Sequence, residues 1–144
     1  MGPTATRWGA LPYPHETATH TGVGVMRYID AFVLVVPTRK LPAYRRLSKK
    51  VGLIYREYGA LDYREYVGDD VAVKMGLPFP RLLKLKPGET AVFSWIAYPS
   101  RAQRDRVVAK VMKDPRLDGM CGAGNMPFDL KRMSCGGFKL LVEA

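Results

Sequence analysis

The sequence predicts an α+β domain: a four-stranded antiparallel sheet with two helices packed on one of its faces. Three observations predict it. Hydrophobic periodicity orders the elements as strand, helix, strand, strand, helix, strand. Both helical segments carry an apolar stripe and must lie against something. The first and third strands are apolar on both parities, so the sheet has two faces to cover. This order is the split βαβ pattern of ferredoxin-like domains.

A chain of 144 residues fits one domain, which should bury about 70% of its unfolded surface. The hydrophobic fraction of 47% is that of a globular protein. Residues 1–25 are rich in Gly, Pro and Thr without periodicity. They are expected to form a disordered or variable extension, with the single domain spanning 26–144. Both histidines, His15 and His20, lie in that extension. The domain therefore offers no histidine for a catalytic triad or a metal site. No apolar run reaches the ~18–20 residues of a membrane span, and Cys121 and Cys135 make no disulfide framework. A cytoplasmic protein without membrane partner, metal or cofactor is the expectation.

The elements follow in order. "RYIDAFVLVVP" (Arg27 to Pro37) is apolar, β-branched and closed by proline, as a buried strand should be. In "KLPAYRRLSKKVGLIYREYG" the residues Tyr44, Leu47, Val51, Ile54, Tyr55 and Tyr58 recur at helical spacing, and Gly59 suits the C-terminal cap. "ALDYREYVGDD" (Ala60 to Asp70) alternates as a half-buried strand. Val71 to Gly88 reads as a long proline-containing loop with one helical turn around "RLLKL". "TAVFSWIAY" is the third strand. Ser100 then N-caps a helix in "SRAQRDRVVAKVMKDPRL", with Gln103 placed as in a capping box. Val107, Val108, Val111 and Met112 should face the sheet. "GMCGAGNMPFD" is irregular, and "KRMSCGGFKLLVEA" is a last strand with a bulge expected at Gly136-Gly137.

Lys+Arg 23 against Asp+Glu 13 leaves a net charge of +10. Arg45, Arg46, Lys49, Lys50 and Arg56 avoid the stripe of the first helix, and Arg101, Arg106, Lys110 and Lys113 that of the second. Together they form a basic outer surface. A solvated face outweighs nucleic-acid binding as its explanation. An RNA-recognition domain shares this strand order but needs Lys/Arg-Gly on its third strand, where this chain has "TAVFSWIAY". The second apolar sheet face, carrying Phe93 and Trp95, is most simply covered by a second copy of the sheet.

"GALDYREYVGDD", "FPRLLKLKPGETAVFSWIAYPSRAQRDRVVAKVMKDPRL" and "MPFDLKRMSCGGFK" closely resemble the YbaA-like family of uncharacterised bacterial proteins, over roughly Met26 to Val142. The resemblance implies a dimeric α+β barrel, in agreement with the two-faced sheet. It supplies no activity and no catalytic residues.

Candidate chemistry is sparse. Cys135 precedes two glycines but has no histidine to activate it. Asp69-Asp70 supply too few oxygens for a hard metal and suit a turn. "KPGET" lacks the spacing of a phosphate loop. Arg104 stands apart, because it falls between Val108 and Val111, inside the apolar arc of its helix. It must snorkel outward along its stem, pair with a carboxylate such as Glu65 or Asp105, or present a forked donor to an anionic ligand in a cleft near Trp95 or Tyr63. Arg104, Trp95, Tyr63 and Glu65 are the candidate ligand-binding set. The function expected is a small homodimer that binds a small, anionic ligand. The alternatives are a cofactor-independent enzyme of the small-monooxygenase type, suggested by fold analogy alone, and a nucleic-acid-associated protein using the basic face.

Overall fold

The computed structural model describes residues 25–120 and 126–144. The expected extension, with its histidines, and Cys121 lie outside the described residues, apart from Val25. Strands β1 (Tyr28–Pro37), β2 (Asp62–Val67), β3 (Glu89–Tyr98) and β4 (Ser134–Lys139) form one sheet in the order β2-β3-β1-β4, with every pair antiparallel. Helices α1 (Leu41–Glu57) and α3 (Arg101–Met112) follow β1 and β3, and single turns α2 (Phe79–Leu82) and α4 (Pro115–Asp118) sit in the connections. The fold is ferredoxin-like α+β, as the periodicity predicts.

Each helix end has a local cause. Pro42 occupies the first turn of α1, where its missing N–H costs nothing. At the other end Gly59 takes φ 112°, so its N–H reaches the Arg56 carbonyl while Ala60 N–H reaches the Tyr55 carbonyl at 3.0 Å. That pair of bonds is a Schellman stop, and Tyr55 and Ala60 join the same apolar cluster, as the motif favours. Ser100 accepts from the Gln103 N–H at 3.2 Å and caps α3 as expected. Apart from Arg104, the basic residues of both helices are exposed.

The core lies between the helices and one face of the sheet. Ile54, Tyr55, Ile96, Tyr98, Val107 and Val111 fill one end, and Leu34, Val36, Tyr44 and Val92 the other.

Several expectations are corrected. The second helix stops at Met112 instead of running to Leu117. Pro115 disfavours helical backbone at Asp114, and Asp114 instead caps α4 by accepting from Arg116 N–H at 2.8 Å. Met112 is 63% exposed, because the buried arc of α3 runs through 104, 107, 108 and 111. The turn at "RLLKL" begins earlier, at Phe79, where Pro78 and Pro80 favour a helix start. No bulge interrupts β4, since Gly136 and Gly137 pair in continuous register with Ala31 and Asp30. Gly137 instead admits the Tyr28 side chain, whose hydroxyl would lie 2.1 Å from an added Cβ. Two strands are also shorter than expected: β2 covers only 62–67, and β4 ends at Lys139.

Candidate functional site

Strand register decides which side chains meet. Tyr63 pairs with Ile96 and Glu65 with Ser94, so both aim toward the helices from the edge strand β2. Opposite them, Tyr44 and Ser48 stand one turn apart on α1, on one face of the helix. One turn further along, Gly52 leaves room for the Tyr63 ring: an added Cβ would sit 2.5 Å from Tyr63 Cδ1.

The Glu65 carboxylate is the centre of this arrangement. Its Oε1 accepts from Ser48 Oγ at 2.6 Å and from the Tyr63 hydroxyl at 2.9 Å, and its Oε2 accepts a short hydrogen bond from the Tyr44 hydroxyl. Ser48 Oγ also lies 3.3 Å from the Tyr63 hydroxyl. Burial, reinforced by the negative charge of Glu65, raises both phenols well above the ordinary tyrosine range, so both stay protonated.

Two cavities meet at these four residues. The smaller, about 150 Å³, lies between α1 and the sheet, walled by apolar side chains including Phe32, Leu34 and Val51. The larger, about 910 Å³, is an open cleft between α1 and the β2 edge, where Leu41, Val67 and Val92 also contribute. Arg45, Arg46 and Lys49 stand exposed on its rim. Tyr66 lines the cleft too, although its register with Phe93 places it on the opposite face of the sheet.

The four sequence-predicted residues therefore divide among three places. Tyr63 and Glu65 share the cleft. Trp95 lies on the open face of the sheet, its ring centroid 5.3 Å from Tyr66 and 6.2 Å from Phe93. Arg104 lies under α3, donating to Asp30 Oδ1 at 3.1 Å and to the Tyr28 hydroxyl at 3.0 Å, with its guanidinium 5.0 Å from the centroid of the Tyr28 ring. Asp105 is its second ion-pair partner at 2.9 Å from Nε, out of line for a hydrogen bond. Of the two carboxylates expected for Arg104, Asp105 is found and Glu65 is not. The main partner is Asp30, which sequence reasoning did not single out.

Tyr44 and Ser48 are the site residues that sequence reasoning missed. Tyr44 was expected simply as part of the apolar stripe of α1. The available signal was a serine and a glycine, Ser48 and Gly52, repeating at i, i+4 and i+8 from Tyr44 on that stripe. Polar and small residues there need a partner across the interface.

A family model described as "Protein of unknown function (DUF1428)" matches residues 27–130. The chain belongs to this family. It is 40% identical over 118 residues to the uncharacterized protein YbaA of Escherichia coli K12, a match covering 82% of this chain and 99% of that protein. The YbaA protein of Shigella flexneri matches to the same extent. The resemblance read in the three sequence blocks is thus a family membership. Solved structures of similar outline include an uncharacterized NIPSNAP domain protein from Burkholderia xenovorans. It is 16% identical with TM-score 0.46, covering 81% of this chain and 94% of its own. A dimeric ferredoxin-like protein from an uncultured marine organism is 11% identical with TM-score 0.49, covering 82% of this chain and 99% of its own.

Among the described residues, no helix is long and apolar enough to cross a membrane, and no group of three or more His, Cys, Asp or Glu side chains could hold a metal ion.

Proposed function

We propose that this DUF1428 chain is a cytoplasmic, homodimeric small-molecule-binding protein whose ligand occupies the cleft between α1 and β2. One observation carries this reading: a carboxylate with three hydroxyl partners stands at the meeting point of two cavities, beneath a rim of three cationic side chains. Clefts of several hundred Å³, mostly apolar with a few convergent polar groups, are the common form of small-ligand sites. The cationic rim favours an anionic ligand. Tyr63 and Glu65 belong to this site. Trp95 belongs to the dimer contact, and Arg104 acts as a tie between α3 and the sheet. The dimer reading rests on the open sheet face, where Phe93, Tyr66 and Phe138 are 39%, 48% and 57% exposed. The exposed thiol of Cys135, free of any disulfide, fits a reducing compartment.

The test is a fragment panel of small carboxylates and neutral amphiphiles, read by NMR on isotope-labelled protein. Shift changes centred on Tyr44, Ser48, Tyr63, Glu65 and Val67 are expected. A panel that leaves those resonances unmoved overturns the cleft as a ligand site.

A further inference from the structure

The protons of the cleft limit what it can bind. Three hydroxyls, on Tyr44, Ser48 and Tyr63, bring one donor proton each. Every one has an acceptor inside the cluster: Tyr44 donates to Glu65 Oε2, Ser48 to Oε1, and Tyr63 to Oε1 or to the Ser48 oxygen. However those protons are shared, none is left for a ligand. What the cluster still offers is acceptor capacity, on the hydroxyl lone pairs and on the unfilled lone pair of Glu65 Oε2. With both phenols held protonated, that polarity does not reverse at neutral pH.

The rim has the opposite character. Arg45, Arg46 and Lys49 are donors only, and no ion pair occupies them among the described residues. The cleft walls also carry the apolar side chains of Leu41, Val67 and Val92.

We infer that the cleft selects a hydroxy-substituted carboxylate with a short apolar body, its hydroxyl donating to the Tyr44–Ser48–Tyr63–Glu65 cluster and its carboxylate meeting the cationic rim. This rests on the cleft being the ligand site, and adds the chemical class. A ligand whose inner end is an acceptor alone, such as an ether or ketone, sets lone pair against lone pair. Sites built around one polarity of hydrogen bond reject the mismatched analogue far more strongly than they reject a change in size.

The test compares three probes on the full chain by NMR titration: an ω-hydroxyhexanoate, its ω-methoxy counterpart and plain hexanoate. The hydroxy acid should bind at least about tenfold more tightly than the methoxy ether, with the largest shifts at Tyr44, Ser48 and Tyr63. In Glu65→Gln the side-chain amide adds two donors to the cluster, and the preference should shrink to about twofold or less, since the acceptor-only polarity is lost. Equal or tighter binding of the ether in the wild type overturns the inference while leaving the cleft as the ligand site. Cleft shifts from non-donor members of the wider panel, with none from the hydroxy acid, do the same. No cleft shifts from any compound overturn both. A preference unchanged in a folded Glu65→Gln variant places the selection elsewhere and also overturns the inference.

Discussion

Gly52 has no side chain, and the position of Tyr63 depends on that. An alanine there would put its methyl group 2.5 Å from the flank of the Tyr63 ring, which cannot swing aside without breaking its bond to Glu65. Gly52→Ala should lower stability by about 1–3 kcal/mol in denaturant titration, despite the better helix propensity of alanine. It should also displace Tyr63 resonances. Arg104 offers a second residue-scale prediction. It is the charged partner of Asp30, a carboxylate only 7% exposed, and removing one member of such a pair strands the other. Arg104→Met should cost about 2–4 kcal/mol, and Asp30→Asn in the same chain should recover part of it. The pH dependence has a definite sign. Burial raises the Asp30 carboxyl above its ordinary 3.8, with Arg104 opposing. The folded state then holds this proton more readily than the unfolded chain, so stability falls as pH rises from 3.8 through the folded value. Without Arg104 the folded value climbs further, and the deficit of the variant should widen with pH across that window. A deficit independent of pH between 4 and 8 (~) would show that Asp30 is not the group left unpaired. The oddity of Arg104 was legible from helical spacing alone. Its partner was not, because Asp30 is 74 residues away and reaches Arg104 only through the pairing of β1 with β3 and the crossing of α3.

At the scale of elements, what periodicity and local caps control was legible. The order of strands and helices, the Gly59 stop and the Ser100 cap depend on neighbours within a few residues. The break at Asp114-Pro115 was visible in the sequence as a proline. That junction carries its own prediction. Asp114 is buried and accepts from the Tyr58 hydroxyl at 2.7 Å and from the Arg116 side chain at 2.8 Å, joining α1 to α4. The Arg116 guanidinium, followed by Tyr58, holds the Asp114 carboxyl well below its usual range. The unfolded chain therefore binds this proton first, so the contribution of Asp114 is fully present above 3.8 and is lost as pH falls through the lower folded value. Asp114→Ala should lower the thermal midpoint at pH ~7, and the gap between variant and wild type should close on acidification below pH ~4. A gap that persists in acid would assign the loss to the α4 cap and not to charge. The candidate site was half legible by the same logic. The alternation of β2 aims Tyr63 and Glu65 to one side, but the cleft exists only because α1 crosses that edge with Tyr44 and Ser48 facing it.

At the scale of the whole molecule, the described residues leave an apolar surface without a partner. Among the described residues, Tyr66, Phe93, Trp95 and Phe138 lie on the sheet face opposite the one against which α1 and α3 pack. An isolated subunit would expose several aromatic rings side by side, whereas stable soluble monomers keep contiguous apolar patches to a few hundred Å². A second copy presenting the same face satisfies this by two-fold symmetry, and a stable interface of this kind buries about 800 Å² on each partner. Tyr66 belongs to both the face and the cleft wall, so the partner subunit would approach each ligand site from the β2 edge. Light scattering at micromolar concentration should give the mass of a dimer, and the thermal midpoint should rise with protein concentration, as mass action requires when folding and association are linked. Phe93→Glu places a charge at the centre of the face. Within a dimer that charge is buried without a counter-ion, at a cost on the order of several kcal/mol, while in a monomer it faces water at the position Phe93 already exposes. The variant should therefore shift the mass to that of a monomer, with near-native far-UV circular dichroism and a thermal midpoint no longer dependent on concentration. A wild-type chain that scatters as a stable monomer, or a Phe93→Glu chain that still scatters as a dimer, would show that something other than a second copy covers the open face.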